Sequence, residues 1–380
     1  MPKEALALNR SRINAPLRKV NLWVLRKLQL LDDARTDESV SSIAELLVGL
    51  HAKKPQTPYL SLLARVPDVP PQALDESLYR KRELLRTHAM RGTVHMLPQS
   101  QYETVLTATA GQLDNMYRRA FNNLPNKKKI QDQIYRLIEK RGALSHTEIA
   151  ELLLLSVDER DLHRLLNELC TNRVLIKSTV RGTWRSSIHN YEILERWQPE
   201  IPAGESSLEK ARSLLVEWYL KAYAPATTAD IAWWTGFSQA EVKKAINALG
   251  PALDCRHFDA LDQPTWMLVD DLEAFQKWTP PKRAQVNLLP SFDPYVVAYI
   301  DRARYIDDRN YRDVFTGVAG MIEPVITFDG RIAGTWKYNL KAGRVPVKIF
   351  KGSMVHTELL ERAVEHTSRF MREADRVTAN

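Results

Sequence analysis

Arg91-Gly92-Thr93 and Arg181-Gly182-Thr183 repeat one tripeptide 90 positions apart. An arginine beside a glycine turn can set its guanidinium against a phosphate oxygen, because the group keeps its charge and offers a fork of donors. The flanks agree in kind. Leu84 to Met90 precedes the first copy and Val94 to Leu97 follows it; Val174 to Val180 precedes the second and Trp184 to Ile188 follows it. Such β-prone stretches around a turn predict a hairpin, and each hairpin comes after short helices. That order is the one found in winged helix-turn-helix units, which dock on DNA. Lys243 and Lys244, on a later predicted helix beside Glu241, suit contact with a DNA backbone better than base reading.

Other chemistry is poorly supplied. Cys170 and Cys255 are the only cysteines, so neither a disulfide framework nor a zinc-type spacing is present. His146, His163 and His189 show no metal-like spacing with carboxylates or thiols, and no metal or cofactor is expected. Phosphate-binding loops, dinucleotide fingerprints and nucleophile elbows are missing. His88 and His95 flank the first hairpin and read as packing histidines. Trp233 and Trp234 share one helix, where one suits the core and the other suits support of the hairpin that follows.

The bulk properties agree with a polyanion partner. A net charge of +8 and a pI near 9.3 favour phosphate contacts through Lys and Arg. With 380 residues the chain has room for two to four domains. No apolar run approaches membrane length, since even Ala150 to Leu155 contains Glu151. Met1 to Leu6 lacks the apolar core of a signal peptide. The expectation is a cytoplasmic, nucleoid-associated monomer with no membrane partner.

The elements that must position these residues recur. Residues 1–122 hold a helix over Val20 to Leu31, a second opened by a Ser42/Glu45 capping box, a third after Thr57 and Pro58, the first hairpin, and an exit helix over roughly Gln99 to Phe121. Residues 123–200 repeat the order: Asn126 to Arg141, then Ser145/Glu148 opening Ile149 to Leu155, then Asp158 to Thr171, then a hairpin over Val174 to Ile193. Residues 205–278 repeat it again, with Leu208 to Tyr223, a cap at Thr227/Thr228, and a Ser238/Glu241 box opening Ala240 to Leu249; strands then flank Asp259 to Pro264. In residues 283–380, Val286 to Leu289, Pro324 to Phe328 and Arg331 to Trp336 read as strands, with Asp329-Gly330 as a hairpin turn and Met354 to Met371 as a closing helix. The fold class is mainly α with β (α+β). The helix over Asp158 to Arg164 carries Asp158, Glu159 and Asp161, which would repel phosphates, so a string of three independent sequence readers is not expected.

Several stretches together resemble the winged-helix DNA glycosylase family typified by AlkZ and YcaQ. They are Leu46 to Lys53 with Pro58-Tyr59-Leu60, Arg86-Thr87, Met90 to His95, Arg181 to Thr183, Thr228 to Ile231 with Trp234-Thr235-Gly236, and Leu289 to Pro294. Asp329-Gly330-Arg331 with Gly334-Thr335-Trp336 completes the series. The resemblance implies three tandem winged-helix domains and a small β-barrel-like C-terminal domain around a basic channel. It implies a metal-free glycosylase acting on double-stranded DNA that carries N7- or N3-alkylated purines, including bulky natural-product adducts or crosslinks, in repair or toxin self-resistance. Asp293 and Trp336 match its C-terminal pattern and read as structural.

The family's catalytic signature pairs two polar residues around an apolar one, typically Gln-apolar-Gln or Gln-apolar-Asp. His51-Ala52-Lys53 fills that slot here. Residues two apart share a side only in an extended segment, and Pro55 pushes the chain out of helix nearby. A neutral His51 could orient or deprotonate water. Lys53 could clamp a phosphate, attack C1′ as a free amine, or mark a site that has lost its chemistry. Lys54, Arg91, Thr93, Arg181, Lys243 and Lys244 are the expected DNA contacts. The alternative is a non-catalytic winged-helix DNA-binding or regulatory protein.

Overall fold

The computed structural model describes residues 12–121, 124–154, 157–317 and 320–377. The N-terminal hexapeptide and Leu155, both used above, lie outside them. About half of the chain is helical, and the strands form four small sheets among the described residues.

Strand β1 (Arg12–Ile13) leads into α1 (Leu17–Lys27). Neither packs as the start of a first unit. β1 pairs in parallel with His257 and Phe258 of the third unit, and Trp23 of α1 meets Phe275 edge-on at 5.6 Å. Asn21 donates to the Arg304 carbonyl, and Arg18 bonds Asp329. The N-terminal segment therefore ties together parts of the chain more than 200 residues apart.

Helix α2 (Val40–Leu46) is capped by Ser39, whose hydroxyl accepts from the Ser42 amide; the expected Ser42/Glu45 box is not used. The helix also ends four residues earlier than its apolar run suggests. Val48 sits at φ 56° and Gly49 at φ 93°, with the Gly49 amide donating to the Ala44 carbonyl. This left-handed closure, not Pro55, turns the chain into strand β2 (Leu50–His51). A β-branched residue at positive φ is uncommon and strained, and here it lies three residues before His51. After α3 (Thr57–Leu63) and α4 (Gln72–Asp75), β3 (Leu84–His88) and β4 (Val94–Pro98) form the first hairpin, and β2 pairs with β4. Helix α5 (Gln99–Ala120) leads out.

The second unit follows its local signals closely. α6 is Lys127–Arg141; β5 (Leu144–Ser145) precedes α7 (His146–Leu153), which opens with the full Ser145/Glu148 box; Asp158 caps α8 (Glu159–Thr171). β6 (Leu175–Val180) and β7 (His189–Ile193) make the hairpin, with β5 paired to β7 just as β2 is to β4. After α9 (Leu194–Trp197) the order recurs as α10 (Leu208–Tyr223), α11 (Thr228–Thr235), α12 (Gln239–Leu249), β8 (Leu253–Phe258) and β9 (Thr265–Leu268). Thr227/Asp230 and Ser238/Glu241 form complete capping boxes.

Helix α13 (Val269–Lys277) leads to the C-terminal part. β10 (Val286–Leu289), α14 (Pro294–Val297), α15 (Asp308–Val314), β11 (Val325–Phe328), β12 (Arg331–Trp336), β13 (Val347–Ile349) and α16 (Thr357–Val377) complete the fold. Asp329 and Gly330 both take positive φ, as a two-residue hairpin turn requires. The expected barrel does not form. The sheet is open, in the order β10-β11-β12-β13, because four strands of three to six residues cannot close, and α16 packs against β10 instead.

Candidate active site

Strand β2 sets His51 directly opposite His95 of β4, and the Ala52 amide continues the ladder to the Val94 carbonyl. His51 and Lys53 both line a cavity of about 280 Å³. Lys54, in the bend that follows the strand, donates instead to Ser291 Oγ at 3.1 Å. The cavity also takes Arg91, Thr93 and His95 from the first hairpin, Trp233 from α11, and Phe292, Arg302, Tyr311 and Phe315 from the C-terminal part. None of the described residues lining it is acidic.

His51 is 7% exposed, and its ring stacks on Phe292 at 5.1 Å with only 5° between the planes. Lys53 holds its ammonium over the same ring, 4.8 Å from the centroid, while remaining exposed. Phe292 is itself fastened. Asp293, next to it, caps Tyr295 and forms a fully buried two-pronged pair with Arg65, both contacts 2.9 Å. Thr57 and Ser61 add hydrogen bonds to Ser291 and Asp293. Asp293 is thus structural, and so is Trp336, whose indole donates to the Leu289 carbonyl.

The hydrogen bonds assign tautomers. The Lys53 amide donates to His51 Nδ1 at 3.4 Å, which leaves the proton of the neutral ring on Nε2. His95 Nδ1 faces the Thr93 carbonyl at 3.0 Å, an acceptor only, so Nδ1 carries the proton there and Nε2 keeps its lone pair. Burial, reinforced by His95, Lys53 and Arg91, holds His51 well below the usual histidine range. Burial brings His95 down to about 4, against the opposing Thr93 hydrogen bond. Both imidazoles are neutral at physiological pH. One offers a donor and the other an acceptor.

This has a consequence for stability. Burial also lowers His88 and His189, with Lys177 and Arg86 contributing. Below pH 6.5 the unfolded chain binds protons that the folded chain refuses. Stability is therefore complete above that pH and falls as pH drops toward the folded-state values. Each such histidine contributes a slope of about 1.4 kcal/mol per pH unit. Urea unfolding at pH 7.5, 6.5 and 5.5 should show a loss of several kcal/mol over the last step. A flat profile would contradict the buried neutral state, and His95→Gln should reduce the slope by one proton.

The loop of the first hairpin faces this cavity. Arg91, at φ 57°, lays its guanidinium over the Trp233 ring at 3.5 Å, and Arg302 lies over Phe315 at 3.8 Å. Trp234 packs in the core against Tyr219, so Trp233 is the supporting residue, but the hairpin it supports is the first one and not its own. The Thr93 hydroxyl bonds the Met90 carbonyl. The loop of the second hairpin is engaged differently. Arg181 bonds Glu148 and Asn190, and in the same eight-residue loop Trp184 and Arg185 bond Asp375 of α16. Lys243 and Lys244 are exposed on α12, away from the cavity. The spacing-based exclusion of metal-binding histidines also changes: His146 and His163 meet around Glu159. Phe292, Arg302 and the cavity role of His95 escaped sequence reasoning, because nothing local links positions 51, 95, 233, 292 and 302.

Repeated helix-and-hairpin units thus present a cation-lined aromatic cavity with two neutral imidazoles inside it, a site suited to a polyanionic substrate. Residues 44–374 match the family model described as DNA glycosylase AlkZ-like, and the chain belongs to that family. A Streptomyces sahachiroi protein named interstrand DNA cross-link repair glycosylase is 24% identical over 347 residues, spanning 86% of this chain and 88% of the relative. The solved structure of Streptomyces sahachiroi DNA glycosylase AlkZ superposes with a TM-score of 0.78 at 20% identity, over 94% of this chain and 97% of that one, and so has the same fold. No helix among the described residues is long and apolar enough to cross a membrane.

Proposed function

We propose that this glycosylase hydrolyses the N-glycosidic bond of purines alkylated at N7 or N3 in duplex DNA, including bulky natural-product adducts and crosslinks, in repair or toxin self-resistance. The observation that carries the reading is the cavity's chemistry: two neutral imidazoles, three cations and no acid among its described lining residues. Such a site has no group able to protonate a departing neutral base at physiological pH. It suits a base that is already a good leaving group, as an N7-alkylated purine is by virtue of its positive charge. During bond cleavage that charge migrates from base to sugar, so the total does not grow, and neighbouring cations oppose the reaction less than they would for a neutral base.

His51 donates from Nε2 to the attacking water and His95 accepts a proton from it, a division of work that the tautomers favour. Lys53, Arg91 and Arg302 hold phosphates beside the lesion. Lys53 acts as a cation rather than a nucleophile, its ammonium lying over the Phe292 ring where it can meet a phosphate. Borohydride should therefore trap no covalent adduct. The three helix-and-hairpin units act as winged helices within a monomer that works on cellular DNA in the cytoplasm. The resemblance to a protein named for crosslink repair supports the inclusion of crosslinks.

Incubation with duplexes carrying N7-alkylguanine of small and large size tests the reading: free alkylated base should appear, while undamaged purines stay in place. Tight binding without release from any alkylated duplex would sink it. Lys243 and Lys244 supply a second measurement. Each phosphate contact contributes about 0.9 to the slope of log affinity against log salt, so replacing both lysines with alanine should reduce that slope by about 2 without changing single-turnover release. An unchanged slope would remove α12 from the DNA interface.

A further inference from the structure

Glu159 and His163 stand four residues apart on α8, one above the other on the same face. His146, the first residue of α7, lies against them. The Nε2 atoms of His146 and His163 are 3.5 and 3.8 Å from Glu159 Oε1, and the three candidate ligand atoms all fall within 4.8 Å of one another. The two rings approach to 4.3 Å between centroids. Ligands bound at about 2.0–2.1 Å around a tetrahedral zinc ion stand about 3.4 Å apart, so these atoms reach that geometry by small side-chain rotations.

We propose that His146, Glu159 and His163 bind one divalent transition-metal ion of the zinc type, with solvent completing its coordination. The donor set carries the choice of ion. Two imidazole nitrogens and one carboxylate suit zinc and its neighbours, whereas magnesium and calcium call for oxygen ligands throughout. Entry is open, because the Glu159 side chain is 78% exposed and the His163 side chain 42% exposed. Among the described residues, the other polar contact of His146 Nε2 is a long one to the Thr147 hydroxyl, 3.5 Å, which an ion would readily replace. None of the three residues lines the His51 cavity, so the ion takes no part in base release. Its effect is mechanical: it joins the first residue of α7 to the N-terminal half of α8.

The test uses full-length protein without an affinity tag, stripped with chelator and titrated calorimetrically with zinc chloride and, separately, with magnesium chloride. One equivalent of zinc should bind, magnesium should not, and zinc should raise the thermal unfolding midpoint. His163→Ala and Glu159→Ala change exposed side chains and should leave the fold intact, which far-ultraviolet circular dichroism checks. Each should weaken zinc binding at least about tenfold, in line with the sensitivity of metal sites to their ligand environment. His356→Ala removes an exposed histidine elsewhere and should leave binding unchanged. Absence of zinc binding, or binding that survives both α8 substitutions, would overturn the assignment. The result is independent of base release, so an inactive protein that binds zinc here upholds it.

Discussion

His51→Ala should lower the single-turnover rate of base release by about 100-fold or more, while DNA affinity stays within a few-fold of the parent protein. The reasoning begins with the ring's environment. It is buried, neutral and clamped flat against Phe292, and its Nδ1 is occupied by the Lys53 amide. Its remaining useful atom is Nε2–H, which can hold a water molecule by its oxygen. Removing the ring removes that donor and leaves space that disordered water fills. The phosphate contacts proposed for Lys53 and Arg91 are untouched, which is why binding should persist. His95→Ala should give a similar loss by removing the acceptor, and the double variant should lose much less than the product of the two, because the pair acts on one water. Full activity in His51→Ala would move the chemistry out of this slot. A parallel collapse of binding and rate would instead mean that the ring serves only to shape the cavity.

Asp293→Ala should destabilise the fold by roughly 3–5 kcal/mol, the usual cost of leaving one partner of a buried ion pair alone. Arg65 is fully buried, and Asp293 supplies both of its carboxylate contacts. Without it the guanidinium keeps only the Ser61 carbonyl among the described contacts, and α14 loses its cap at Tyr295. For a chain of this size the thermal midpoint should fall by about 4–6 °C. Phe292 adjoins Asp293 and carries the His51 ring, so base release should weaken as well, even at temperatures where the variant is folded. Arg65→Met in the Asp293→Ala background should recover part of the stability, since it removes the unpaired charge. A midpoint within about 1 °C of the parent would show that the pair contributes far less than burial implies.

The parts of the fold that were legible in the sequence are those governed by a few adjacent residues. The boxes at Ser145/Glu148 and Ser238/Glu241 start their helices where the spacing indicates, and Asp329-Gly330 turns its hairpin. Where the local signal was ambiguous, the outcome differed. Ser39 displaced Ser42 as the cap of α2, and a left-handed turn at Val48-Gly49 ended that helix before Pro55 could. The barrel expected from three predicted strands and a family likeness became an open sheet, because strand count and closure are properties of the assembled sheet.

By itself the sequence determined the basic character of the chain, its repeated helix-and-hairpin units and the family to which it belongs, since these depend on composition, short-range capping and residues in a fixed order. Tertiary structure decided the chemistry. It placed Phe292 beneath His51 and Lys53, set His95 across the strand pair, and turned Trp233 toward Arg91. It also withdrew the second hairpin loop onto α16 and brought His146 to Glu159 and His163. Apart from the four-residue spacing of Glu159 and His163 on α8, these contacts join residues whose separation along the chain carries no information about their distance. They arise from how the units pack against one another, and that packing is settled by buried surface spread over the whole molecule.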